Sequence, residues 1–194
     1  MSAQNSITPK PVLFLKTKLP TEALHDPIQL DKLPEVEKQI LKCKKQWLAT
    51  PYAERLANII SQIIEDRKGE PISNAICLAV SGLNPGIEVP QFVIFSQIVA
   101  QLATANPALT SNILVQDPKI QPCWMEMVEN HGCQVVKTPA AFKEVGKNSF
   151  VFCAWPTVIN ILRGLKGQPV DELALFVGND IRWWVDPKCK SCSL

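Results

Sequence analysis

A chain of 194 residues is long enough for one sizeable core and a short appendage, and 46% hydrophobic with 20% charged residues excludes an intrinsically disordered chain. The 20 basic and 18 acidic side chains leave a net charge of +2, too balanced to point to nucleic acid or an anionic membrane as partner. No apolar stretch approaches a membrane-spanning length, and the amino-terminal residues, whose one apolar run is 12–15, do not read as a secretory signal.

Residues 1–31 have little periodicity and carry Pro9, Pro11, Pro20 and Pro27, which predicts an extended arm. Its 12–15 run either anchors on the domain surface or pairs as an edge strand. A single α/β domain is expected over 32–186, with amino-terminal helices at 33–66, a core at 74–182 and a flexible tail at 187–194. Val36, Ile40, Cys43 and Trp47 recur at helical spacing and predict a helix over 33–48. Thr50 suits an N-cap and Pro51 the first position of the next helix, which ends near Gly69 and Pro71. That helix places Tyr52, Leu56, Ile59, Ile60, Ile63 and Ile64 on one stripe. Both helices are expected to pad the sheet; a docking role for a partner is the alternative.

Residues 76–80, Ile-Cys-Leu-Ala-Val, form a short apolar run bounded by breakers, as a strand buried on both faces requires. A turn of Ser81, Gly82, Asn84, Pro85 and Gly86 follows, then a helix over 90–103 with Pro90 at its first position. The apolar face of that helix (Phe92, Val93, Ile94, Phe95, Ile98, Val99, Leu102) is wide, which predicts that it is well covered. A second strand is expected at 113–115 and a helix at 122–130 presenting Trp124, Met125 and Val128, stopped by a left-handed Gly132. A third strand at 133–136 leads to a short helix begun by Thr138-Pro139, then come a fourth strand at 150–153, a helix at 157–164 and a fifth strand at 173–177. Short apolar strands alternating with helices predict a three-layer Rossmann-like domain: a mainly parallel sheet of about five strands with helices on both faces.

In such sheets ligands bind at the carboxyl ends of the strands. The residues there are Ser81, Gly82 and Asn84 after the first strand, Asp117 after the second, Trp155 after the fourth, and Asn179 and Asp180 after the fifth. Together they offer backbone donors, a carboxylate for a ribose-like diol, an indole for stacking and an amide. The competing account is that Asp117-Pro118 and Asn179-Asp180 are turn formers whose side chains bond their own backbone. Neither G-x-G-x-x-G nor a P-loop is present, so no cofactor is identified.

No catalytic constellation is visible. The two histidines are His25, in the arm, and His131, before a helix-ending glycine. Cys123, His131 and Cys133 lack any standard zinc spacing, and no metal is expected. Seven cysteines, with Cys77, Cys133 and Cys153 in apolar strand-like runs, suit a reduced, intracellular protein. Cys189 and Cys192 form a C-x-x-C in the tail, half a zinc site at most, and read as incidental. Trp183 and Trp184 follow Arg182, where one indole caps the core or offers a contact for a partner or a second copy.

The order of these features resembles the sensitivity-to-red-light-reduced (SRR-like) domain family. The corresponding segments are ICLAVSGLN, QFVIFSQIVAQL, ILVQDP, MVENHGCQVV, FVFCAWP and ALFVGNDIR, spanning residues 74–182. The chain departs from the family in its first loop, usually richer in glycine. It departs again after the fourth strand, where Cys153, Ala154 and Trp155 replace a Pro-His-Cys motif. The resemblance implies a Rossmann-like regulatory or ligand-binding protein of the cytosol or nucleus, connected with light and clock signalling or haem metabolism. It brings no settled reaction or cofactor. Two other expectations stay open. One is a small enzyme, either nucleotide- or methyl-donor-dependent or a cofactor-free cyclase or isomerase of specialised metabolism. The other is a module that dimerises or docks a protein partner.

Overall fold

The computed structural model describes residues 33–78, 85–118, 120–153, 164, 166 and 173–178, with the backbone alone for 85–87. The arm at 1–31, residues 79–80, most of the helix expected at 157–164, Trp183, Trp184 and the tail with Cys189 and Cys192 lie outside these described residues.

Helices α1 (Leu33–Leu48) and α2 (Pro51–Asp66) have the extents their periodicity predicts. Thr50 joins them. Its backbone is extended, its hydroxyl accepts the Ala53 N–H at 3.3 Å and donates to the Trp47 carbonyl at 2.7 Å, and Pro51 opens α2. Val36, Ile40 and Trp47 of α1 and Leu56, Ile60 and Ile63 of α2 are buried. Tyr52, expected on the same stripe, is exposed: in the first turn of α2 it is Ala53 that packs against the core, and full burial begins at Leu56.

The strands are β1 (Asn74–Leu78), β2 (Ile113–Gln116), β3 (Gln134–Val135), β4 (Ser149–Cys153) and β5 (Leu175–Gly178). They form one five-stranded sheet in the order β3-β2-β1-β4-β5, and every pairing is parallel. The intervening helices are α3 (Pro85–Ala105), α4 (Pro122–Asn130) and the short α5 (Ala140–Lys143). The pleat sorts the strand residues by parity. Ala75, Cys77, Val115, Phe150, Phe152 and Val177 join the core shared with α1 to α4, whereas Ile76, Leu78, Leu114, Val151 and Cys153 pack with Ala141, Phe142 and Val145 on the other face. Helices therefore cover both faces, as expected of a three-layer α/β fold.

α3 is apolar over most of its circumference because it is covered on more than one side. Phe95 stands 5.7 Å, ring centroid to ring centroid, from both Phe150 and Phe152 of the sheet, while α1 and α2 pack chiefly against the outer side of α3. The two amino-terminal helices thus cover α3 rather than padding the strands directly.

Two local expectations are corrected. α3 starts at Pro85, which takes the early position compatible with a missing N–H, so Pro90 lies inside the helix and costs it one hydrogen bond near its start. β1 begins two residues before the apolar run. Its register pairs Asn74 with Ser149, and the Asn74 amide donates to the Glu144 carbonyl at 2.8 Å, which lets a polar residue open a buried strand. Gly132 has φ +80°, the left-handed stop anticipated after α4. At Gly178 a Cβ would stand 2.6 Å from the Cys153 carbonyl oxygen, so the end of β5 can approach β4 only as glycine.

Candidate functional site

The strand order 3-2-1-4-5 reverses between β1 and β4, and in open parallel sheets the crevice at the carboxyl ends of such strands is where ligands bind. Of the rim residues expected from sequence, Asp117 is described: it follows β2 directly and is 7% exposed. Ser81, Gly82, Asn84, Trp155, Asn179 and Asp180 lie outside the described residues.

Three further polar side chains stand at this edge. Glu88, in the first turn of α3, is 4% exposed, and Gln91, one turn on, is also buried. Gln116, the last residue of β2, turns its Oε1 to accept the Ala141 N–H at 2.8 Å, which ties the start of α5 to the tip of β2. A glutamate in a first helical turn reads from sequence as a complement to the helix dipole. Only its enclosure under the packed layers marks Glu88 as part of the rim.

The electrostatics link these groups. Burial pushes the Cys123 thiol up, and the Glu88 carboxylate adds to this against the opposing pull of the Trp124 and Cys123 amides. Cys123 is in the first turn of α4 just after β2, and Glu88 in the first turn of α3, so both groups belong to helices that start at this edge. The Cys77 thiol is pushed well up by burial, with Cys133, Cys153 and Asp117 adding to it. Burial likewise holds Cys133 up at about 12 and raises Cys153. Thiols in this state are protonated at neutral pH and are poor nucleophiles and poor metal ligands. Among the described residues no three histidine, cysteine or acidic side chains gather as a metal site would require.

His131 lies at the other end of α4 from Cys123. α4 runs from the carboxyl end of β2 to the amino end of β3, so its carboxyl-terminal residue sits at the opposite rim. There the His131 Nε2 lies 2.9 Å from Glu37 Oε2 of α1, and the ring meets Phe92 edge-on at 5.5 Å. The pair fastens α1 to α4.

The model of the SRR1 domain matches residues 56–192. The chain belongs to the SRR1 domain family. The match takes in β1 to β5 and most of α2, including Asp117, Glu88 and the whole polar rim, and leaves α1 outside it. No curated protein and no solved structure matches the chain. The SRR1 domain of this chain is thus a parallel α/β sheet whose strand order reverses beside a buried, acid-bearing edge. Among the described residues, no helix is long and apolar enough to cross a membrane.

Proposed function

We propose that this protein is a regulatory, ligand-binding member of the SRR1 family, acting in the cytosol or nucleus in light and clock signalling or in connection with haem metabolism. The observation that supports this reading is the position of Asp117 at the tip of β2, beside the point where strand order reverses. A carboxylate offers about four acceptor sites, so bonds within the fold are compatible with accepting two hydroxyl protons from a ribose-like diol. Ser81, Gly82, Asn84, Trp155, Asn179 and Asp180 complete the proposed rim. The unit that binds is taken to be one domain over 32–186, with an arm before it and a tail after it.

A thermal-shift screen against nucleotides, nicotinamide and methyl-donor cofactors, flavins and tetrapyrroles tests the reading. A ligand of the native state stabilises it by about 2.7 kcal/mol at a hundredfold excess over its dissociation constant. The expected outcome is a shift with one class that Asp117→Ala abolishes while the unliganded melting transition stays cooperative. A flat screen on folded protein overturns it.

Glu88 favours a second reading, a small enzyme on this scaffold, either nucleotide- or methyl-donor-dependent or a cofactor-free cyclase or isomerase. An enclosed carboxylate at the ligand edge is the kind of group that serves as a general acid or base. Turnover of a screened ligand, lost in Glu88→Gln with binding retained, would establish the enzyme over the binding protein.

A further inference from the structure

A second surface goes beyond the proposed ligand edge. Among the described residues the exposed large hydrophobic side chains are Leu41 (66% exposed), Leu48 (56%), Tyr52 (56%) and Met125 (37%), and the first three follow one another along α1 and the start of α2. Leu41 and Leu48 are seven residues apart on α1, which puts them on one face two turns apart, and Tyr52 follows Leu48 across the Thr50 corner. Met125 is on α4, the helix that α1 packs against.

α1 and α2 are each fastened to the layers beneath: Glu37, near the start of α1, meets His131 just past α4, and Arg67, just past α2, donates to Asn148 Oδ1 at 3.0 Å, next to the first residue of β4. The Gln101 amide of α3 donates to the Ala57 carbonyl of α2 at 2.6 Å.

The charge around Leu41, Leu48 and Tyr52 is one-sided. Residues 38–55 carry Lys38, Lys42, Lys44, Lys45 and Arg55 against a single acid, Glu54, in a chain whose net charge is only +2. On the helical wheel Lys38, Lys42 and Lys45 flank the Leu41–Leu48 strip on one side and Lys44 on the other. Glu35 is engaged by Lys38 at 3.9 Å and Glu37 by His131, and among the described residues Lys42, Lys44, Lys45 and Arg55 form no ion pair.

We infer that the exposed face of α1 and the α1–α2 corner dock an acidic amphipathic helix of a partner protein, its leucine-like residues meeting Leu41, Leu48 and Tyr52 and its carboxylates the surrounding lysines. Aliphatic anchors within a ring of like charge are what a helix-in-contact partner of opposite charge uses. A nucleic acid has no use for the leucines. A membrane surface calls for a continuous apolar face, and that of α1 (Val36, Ile40, Trp47) is already buried in the core.

The test is fluorescence anisotropy of the full chain with a labelled synthetic helix of about 20 residues, leucine at its inward positions and glutamate elsewhere. The expected result is saturable binding that weakens with salt, and that falls at least about tenfold in Lys42→Glu/Lys45→Glu and again in Leu41→Asp. A probe with lysine in place of glutamate should recover binding to the charge-reversed variant, which a misfolded variant could not give. Absence of binding overturns the inference, as does equal binding of polyglutamate unaffected by Leu41→Asp. So does tighter binding of phosphatidylserine vesicles or duplex DNA through the same lysines, or a dimer in sedimentation that Leu41→Asp dissociates.

Discussion

Gln116 shows how one side chain reaches two jobs at the ligand edge. Its backbone ends β2, and its amide oxygen accepts the Ala141 N–H in the first turn of α5, a buried donor with no helical partner of its own. Gln116→Leu keeps the size and apolar stem but strands that donor, and is expected to cost about 1–3 kcal/mol in urea-unfolding free energy, with α5 loosened beneath the site. Asp117 is adjacent in sequence yet is legible as a candidate for a different reason: it is a carboxylate at the carboxyl end of an apolar strand. Glu88 was not legible. Its position in a helical first turn accounts for it locally, and its burial is a property of the surrounding layers.

At the scale of elements, α1 and α2 were read correctly in extent, because a 3.6-residue apolar period and a Thr-Pro cap are local signals. The cap is structural as well as diagnostic, since Thr50 both receives the first turn of α2 and holds the last turn of α1. Thr50→Ala should lower stability by about 0.5–2 kcal/mol, seen as a lower denaturation midpoint, while binding at the strand tips is unchanged. The same signals do not tell what these helices rest on, that Tyr52 is exposed, or where α3 starts. A helical stripe says which face is buried without saying against what, and two prolines five residues apart offer competing starts that propensity alone does not rank.

For the whole molecule, the enclosed thiols tie stability to pH. Cys133 has an ordinary value of 9.0 and is held at about 12 in the fold by burial. Between those values the folded chain keeps a proton that the unfolded chain has lost, so the stabilisation is complete below pH 9 and declines as pH rises through the window. Cys77 and Cys153 are shifted in the same direction and add to the slope. Urea midpoints measured from about pH 7 to about pH 10.5 should fall with rising pH, and Cys133→Ala should fall less steeply than the parent. A midpoint independent of pH over that range would contradict the burial of these thiols.

The sequence by itself determined α1 and α2 with the Thr50 cap between them, the α/β class and the ordered segments that mark the SRR1 family. These are written in short-range periodicity and turn chemistry, which each segment carries alone. The tertiary structure decided the strand order, and with it that Asp117 and Glu88 share one edge while His131 sits at the other. It also decided that α1 and α2 cover α3 and leave Leu41, Leu48 and Tyr52 outside. Neighbour choice among parallel strands depends on how all the helices pack at once, and a polar residue at a strand end looks the same in sequence whether it closes a turn or lines a site.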